Sequence, residues 1–422
     1  MLTTYRRVFA YRGALAFSLT GLVARMPISM MTLGIVLLVS TLSGSYAVAG
    51  QVSAAYILGN AVFAIPHGRL ADRFGQRPVL LVDAVAFAIG TGLLVRSETA
   101  GWPAPWPHLF AALTGVAMPQ VGSMVRARWA HLLDDPVDRQ TAFSVEAVVD
   151  EAVFVTGPAL VTFLATLAAA QSGLLAALVV GTVGPVALAL QTGTAPPPHP
   201  RQRGVSAAAM PWRSLAPMTL GATSLGALFG AMEVATVAFA GDAGHKAMSG
   251  VVLATMSLGS LIAGVLTGAR TWRTPLVVRF RTGTALLAVG FVALPFLTSL
   301  WTLAVVMFLA GFAIAPTLIA CIALLEEVAP RSRLTEAMAF LQTGISAGIA
   351  PGAWYAGAVA DAVDGATAFW VCAGSGAVAA LAALATRAPQ TDPDSGPDSG
   401  PDSGPDPGPD SGPGSGRVTF AP

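Results

Sequence analysis

Charge and sulfur are what this chain has least of. Only 11% of its 422 residues are charged, against roughly 25% in a soluble domain. Its two cysteines, Cys321 and Cys372, lie inside apolar runs, which argues against a disulfide framework. Lysine occurs once, at Lys246; this scarcity, beside abundant Ala and Gly, looks like the bias of a GC-rich bacterial genome. The five histidines, His67, His108, His131, His199 and His245, have no metal-ligand spacing and read as interfacial or solvated, so no metal site is expected. A net charge of +1 offers nothing to a nucleic acid or a strongly acidic partner. Walker A, nucleophile-elbow and His-Glu-x-x-His sequences are missing. The chain therefore encodes no ATP-driven pump, is not read as an enzyme, and implies no cofactor.

Apolar residues fill the space left by charge: 54% of the chain is hydrophobic, with a mean hydropathy of +0.68. Between Gly13 and Thr386 they form twelve runs, at 13–40, 46–66, 78–96, 107–131, 140–168, 172–192, 213–239, 248–269, 282–299, 301–325, 335–358 and 365–386. Roughly 20 apolar residues cover a bilayer core of about 30 Å, so the runs predict an all-α membrane protein with twelve transmembrane helices. The basic start, Tyr5-Arg6-Arg7, resembles a signal peptide. The run after it, Gly13 to Ser40, is too long for an h-region and lacks an Ala-x-Ala context, so it is expected to stay as the first helix.

The breaks between runs alternate in charge. Arg6, Arg7 and Arg12 precede helix 1. Arg69, Arg73 and Arg77 separate helices 2 and 3, Arg126, Arg128 and Arg139 flank the 4–5 turn, and Arg201, Arg203 and Arg213 follow helix 6. Arg270, Arg273, Arg279 and Arg281 separate helices 8 and 9, Arg331 and Arg333 separate 10 and 11, and Arg387 and Arg417 follow helix 12. Only Arg96 and Lys246 belong to the other face, and Arg25 sits inside a span. Arginine-rich loops stay cytoplasmic, so both termini are expected in the cytoplasm and the chain in the cell's inner (plasma) membrane.

Residues 1–12 form a cytoplasmic N-terminus, 13–192 a six-helix bundle, 193–212 a cytoplasmic linker broken by Pro196, Pro197, Pro198 and Pro200, and 213–387 a second six-helix bundle. The bundles repeat each other. Arg139-x-Thr141 opens helix 5 with Pro158 nineteen residues beyond Arg139, and Arg333-x-Thr335 opens helix 11 with Pro351 eighteen beyond Arg333. Gly-x-Ala precedes a proline in helices 4 and 10, from Gly115 to Pro119 and Gly311 to Pro316. Such duplication marks transporters whose site lies between halves. Residues 388–422 are a Pro-Asp-Ser-Gly tail with nothing to bury, expected to be disordered in the cytoplasm.

The most specific motif is Gly68-Arg69-Leu70-Ala71-Asp72-Arg73-Phe74-Gly75-Gln76-Arg77-Pro78. Gly68 and Gly75 are expected to permit a tight reversal, with Asp72 capping a neighbouring helix N-terminus. The loop resembles the signature 2–3 loop of the Major Facilitator Superfamily, departing at Gln76, where that family usually has Arg. The resemblance covers Gly13 to Thr386. It implies two pseudo-symmetric six-helix bundles, alternating access, and a gating role for Gly68, Asp72, Arg73, Gly75 and Arg77. The corresponding loop between helices 8 and 9, Gly268 to Arg273, lacks the acid.

Ionisable residues inside spans are costly, by about 2.5–3.5 kcal/mol or more each at the bilayer centre. Arg25 lies in helix 1, Glu146, Asp150 and Glu151 in helix 5, and Glu233 in helix 7. Glu146 and Asp150 share a face and Glu151 is turned by about 100°. The economical arrangement pairs Arg25 with one acid and leaves the others facing a hydrated cavity, as proton or substrate coupling groups. Alternatively, the Arg25 pair only fixes packing and Glu146 is solvated near the cytoplasmic end. Arg126 and Arg128 read as topogenic or as partners of Asp72. The Trp102–Pro107 loop reads as an interfacial anchor.

From the resemblance, helices 1, 4, 7 and 10 would line the cavity, which adds Gln120 and Thr317 as candidate contacts. The Gly157-Pro158 pair of helix 5 resembles the end of the family's antiporter packing motif, although Val153 replaces a glycine. Helix 1 has no acid, unlike the family's sugar symporters. The resulting expectation is a monomeric secondary transporter of a small apolar or amphipathic molecule, exported in exchange for protons, with the lipid bilayer as its surroundings. A proton-coupled importer of a sugar or organic acid, and a non-transporting sensor, are the alternatives.

Overall fold

The computed structural model describes residues 2–198, 210–269, 273–329 and 334–386. The centre of the linker, the arginines Arg270, Arg331 and Arg333, and the tail fall outside the described residues.

The chain is a succession of long helices. An amphipathic α1 (Leu2–Phe9) precedes α2 (Ala14–Ser43), α3 (Tyr46–Phe74), α4 (Gln76–Thr99), α5 (Trp106–Val116), α6 (Val121–Leu132), α7 (Pro136–Leu167) and α8 (Ser172–Leu190). The second half holds α9 (Trp212–Asp242), α10 (Met248–Ala269), α11 (Leu276–Val292), α12 (Leu300–Val328), α13 (Leu334–Ala362) and α14 (Gly365–Ala385). Counting α5 and α6 as one crossing, eleven spans among the described residues are long and apolar enough to cross a bilayer. The twelfth predicted span is α13, whose 29 residues are also long enough.

Two departures from the sequence reading have local causes. The fourth crossing is interrupted at Ala117–Gln120, where Pro119 removes a donor and disfavours the helical conformation before it. Pro27, Pro158 and Pro316, by contrast, sit inside continuous helices, which neighbouring helices make tolerable. The ninth crossing starts at Leu276, not 282, so Arg279 and Arg281 belong to the helix rather than to the break. Arg281 bends to the end of α14 and donates to the carbonyls of Ala383, Leu384 and Thr386. These carbonyls lie at the helix terminus, where acceptors outnumber the helix's own donors.

The packing has internal two-fold symmetry. In the first half α2 packs on α7 and α8, α4 on α8, and α3 and α4 on α5; in the second, α9 packs on α13 and α14, α11 on α14, and α10 and α11 on α12. Close backbone approaches repeat too: Gly115 abuts the Tyr56 carbonyl as Gly311 abuts that of Met256. The halves meet along α3 with α13 and α7 with α10. There Gly50 lies against the Ala353 carbonyl, Gly357 against that of Tyr46, and Gly250 against that of Pro158.

The apolar core has the shape of a fork. One cluster joins both halves at the end opposite the arginines, holding Ile35 and Val52 of the first half with Val234, Val252 and Ala353 of the second. Toward the arginine-rich end it divides. Phe17, Trp129 and Leu188 belong to a cluster confined to the first half, and Met218, Phe280 and Leu324 to one confined to the second. Among the described residues, no buried apolar cluster joins the halves at that end.

Candidate transport cleft and its gates

A charge network ties α2 to α7 inside the first half. Glu146 and Asp150 are one helical turn apart, so both reach α2, and Arg25 takes both at once. Its guanidinium pairs with Glu146 and, at 2.7 Å, with Asp150. Glu146 is fully buried and also accepts from Ser18 Oγ (2.9 Å) and Trp129 Nε1 (2.8 Å). Asp150 accepts a second arginine, Arg126, at 2.6 Å. Two cations thus meet two anions, a balance that buried charges require. The network reaches solvent only at its Asp150–Arg126 rim, where the side chains are 33% and 39% exposed.

Several expectations change here. Arg25 holds two acids, not one, and Glu146 is buried rather than solvated. Arg126 pairs with Asp150, and Arg128 is buried, so neither serves Asp72. Arg128 instead donates to Gln76 Oε1 (2.8 Å), Thr194 Oγ1 and the Leu188 and Gln191 carbonyls that end α8. Gln76 also donates to the Met124 carbonyl. Its place in the loop motif is therefore a buried packing position. Glu151 is half-buried and forms no ion pair among the described residues.

Glu233 lies on α9 where the fork closes. Its neighbours across the seam are Thr32 of α2, a hydrogen-bond partner, and Tyr56 of α3. No described cation is within ion-pair distance. In the first half, the interrupted fourth crossing presents Gln120, which donates to Asn60 Oδ1 (2.9 Å) and to the Met118 carbonyl (3.3 Å). Thr317 does not line the cleft. It is fully buried against Gly283 of α11, its hydroxyl held by the Ala313 carbonyl.

His67 is likewise not interfacial. It is buried on α3 with Nε2 3.5 Å from Asp83 Oδ1 on α4, also buried. Asp83 escaped the sequence reading, although an acid in the third apolar run was signal enough.

The 2–3 turn is made by Gly75 alone, with φ +86°, whereas Gly68 sits within α3 with open space around its Cα. Asp72, Arg73 and Arg77 are exposed. Asp72 caps no helix among the described residues; with Gly68, Gln76, Met124 and Pro196 it lines an open pocket of about 280 Å³ at the basic end.

The opposite end is shut. Asp361, at the end of α13, accepts from Ser45 Oγ (2.6 Å), Tyr46 N (2.7 Å) and Ala47 N (2.8 Å) of the other half. It thereby satisfies first-turn amides of α3 and meets the positive end of that helix. Lys246 donates to Ser40 Oγ (2.9 Å) and Thr41 Oγ1 (3.1 Å) and lies over the Tyr46 ring. Burial pulls this ammonium below the ordinary lysine value. Gly157 presses on Ser29 of α2. Besides the Thr32–Glu233 bond at the seam, the hydrogen bonds described between the halves lie at this end. Asp361 was signalled only by being an acid just past a span on the arginine-poor side.

Comparison with known proteins decides the family. The sequence profile of the Major Facilitator Superfamily matches residues 15–280 and 277–409. The chain belongs to the Major Facilitator Superfamily. No curated protein matches the sequence. Among solved structures it is similar to the nucleoside transporter NupG (D323A mutant), with a TM-score of 0.70 and 16% identity over 88% of this chain and 99% of that one. It is similar to the POT family transporter PepTSo (TM-score 0.69, 15% identity, 88% and 96% covered). A bacterial homolog of the human lysosomal transporter Spinster, inward-facing and occupied, gives 0.65 with 16% identity and coverage of 89% and 96%. At these identities the likeness is one of fold. The protein is thus a multi-pass membrane transporter of the Major Facilitator type rather than an enzyme.

Proposed function

We propose that this transporter exports a small apolar or amphipathic molecule in exchange for protons, by alternating access, and that the fold described here is its cytoplasm-open state. The apolar core divides between the halves toward the arginine-rich end, and arginine-rich loops remain cytoplasmic. Both termini then lie in the cytoplasm, and the site belongs to the inner membrane. Asp72, Arg73 and the Gly75 turn stand ready to engage the other half once the cleft closes.

The observation that carries the coupling is the isolation of Glu233. Glu146 and Asp150 are matched by Arg25 and Arg126, so a proton there would leave an arginine uncompensated. Glu233 has no cation to strand. It also sits at the seam, beside α2 and α3, where one proton changes the charge both halves meet. Export is favoured by the scarcity of charge within the spans and by Gly157-Pro158, which brings α7 hard against α2 and α10.

The test is transport in proteoliposomes under an imposed pH gradient, with labelled amphipathic compounds, sugars and organic acids offered in both directions. Glu233→Gln is expected to abolish gradient-driven flux of the carried compound while equilibrium exchange persists. Gradient-driven flux unchanged in this variant would overturn the role of Glu233, and accumulation of a sugar or organic acid would overturn export.

A further inference from the structure

Helix α1 has no part in the chemistry above, yet the first half holds it at three successive residues. Arg7 pairs with Asp138 at 2.9 Å, and the Asp138 side chain, in the first turn of α7, is only 4% exposed. Val8 is fully buried, in the apolar cluster that contains Phe17 and Trp129. The Phe9 ring meets the Trp129 ring edge-on at 6.1 Å, and Phe17 packs on the same indole at 4.6 Å. Trp129 in turn donates to Glu146 (2.8 Å). One side chain therefore separates α1 from the buried Glu146–Arg25 pair.

That seating leaves a cationic face uncovered. Arg6 and Arg12 are exposed and form no ion pair among the described residues, and Tyr11 beside them is 37% exposed. On the helix Arg6 is turned about 160° from Val8, away from the surface on which α1 is docked. The chain then bends at Gly13 (φ +86°), with Ala14 N donating to the Tyr11 carbonyl (3.0 Å), and enters α2. Leu15, Leu19 and Val23, spaced by four along α2, are all exposed and mark the lipid-facing stripe of the first crossing. Arg12 thus stands three residues before that stripe begins, at the level of the lipid headgroups. Tyr11 is the amphipathic ring that suits such a boundary. We infer that Arg6, Tyr11 and Arg12 form a docking surface for anionic phospholipid headgroups, and that the lipid holds α1 over Trp129.

The chemistry of the face selects the partner. Guanidinium groups present forked donors that match phosphate oxygens, and these two adjoin an apolar stripe that lipid covers. The bilayer surface reaches both at once. A zwitterionic headgroup brings no net charge to the arginines, whereas an anionic one does. Each arginine near an anionic surface strengthens association roughly fivefold, so two set an effect of roughly twentyfold. The helix needs that support, because eight residues are too few to stay helical alone in water. Clamped between protein and lipid, α1 keeps Phe9 on the indole that donates to Glu146. Released, it uncovers that indole beside the pair tying α2 to α7.

The inference depends on neither the direction of transport nor its coupling. The full chain is placed in nanodiscs of phosphatidylcholine, alone or mixed with phosphatidylglycerol, and hydrogen–deuterium exchange is followed at one pH for residues 2–12 and 126–133. In the anionic discs residues 2–12 are expected to exchange roughly twentyfold more slowly, with 126–133 slowing alongside them. Added salt should shrink the difference. Arg6→Gln combined with Arg12→Gln should abolish it, whereas Arg6→Lys combined with Arg12→Lys, which keeps the charge, should retain most of it. Equal exchange in the two kinds of disc would overturn the inference, as would a lipid dependence that survives in the double glutamine variant. Inorganic phosphate that slows exchange in neutral discs as much as phosphatidylglycerol does would put a free anion in place of the lipid and overturn it as well. Slowing confined to 2–12 would overturn the hold on Trp129.

Discussion

The carboxylate of Asp361 accepts the backbone N–H of Tyr46 at 2.7 Å across the boundary between the halves. With Ala47 N and Ser45 Oγ, it forms a cap for one helix supplied by the other bundle. Opening this end requires those bonds to break, so Asp361→Ala should favour the open arrangement. Ala353, almost fully buried in the seam, offers a probe when replaced by cysteine. Its alkylation rate is expected to rise about five- to tenfold in the Asp361→Ala background, in line with losing a hydrogen bond to a charged group. An unchanged rate would remove Asp361 from the gate.

Lys246 gives the same gate a pH dependence of defined sign. Burial in the closed arrangement disfavours its charged form, so the closed state binds this proton more weakly than an open, hydrated one. Raising the pH from the lowered value toward about 10.4, the ordinary lysine value, should therefore tighten closure. Alkylation at the same Ala353 probe is expected to slow over that window, and Lys246→Met should flatten the response.

Arg25 is predicted to be structural first. Removing it strands Glu146 in a buried site, which costs about 3–5 kcal/mol. Arg25→Gln is expected to lower the detergent Tm sharply. Adding Glu146→Gln should recover part of that loss, because two neutral amides can bond to each other and to Trp129. A double variant no more stable than the single one would show that Ser18 and Trp129 suffice to hold the lone carboxylate.

Gln76→Arg restores the residue common in the family's loop, and it should harm this protein. The space beside Gln76 is already occupied by the buried guanidinium of Arg128. A second guanidinium there would meet a like charge at a buried position, a loss of about 3–5 kcal/mol by the cost of uncompensated buried charge. Thermal unfolding of Gln76→Arg, with Arg128→Gln added as the exchange of partners, checks this. A Tm for Gln76→Arg equal to that of the parent would refute it.

Crossing segments and the duplication were legible in the sequence because lipid demands long apolar runs and the chain repeats its Gly and Pro positions. The charges were half legible. That Glu146 and Asp150 share a face follows from a spacing of four. That a single Arg25 spans both, and that Arg126 completes the set, depends on how α2, α6 and α7 pack, which no spacing encodes. Thr317 was misplaced for the same reason: knowing the helix does not fix which side of it faces α11. Asp72 was expected to cap a helix, but its side chain is exposed and caps none among the described residues. Gln76 looked like a lapse in a motif because its partner, Arg128, is 52 residues away.

The glycines along the boundary have a mechanical consequence. Gly50, Gly250 and Gly357 set backbone directly on backbone, so no side chain must withdraw from a socket before the halves turn against each other. Such a bearing has little friction of its own. Beside the apolar cluster that joins the halves, the restraint on its rotation comes from a few polar clasps at the rim, each open to a single proton or a single substitution.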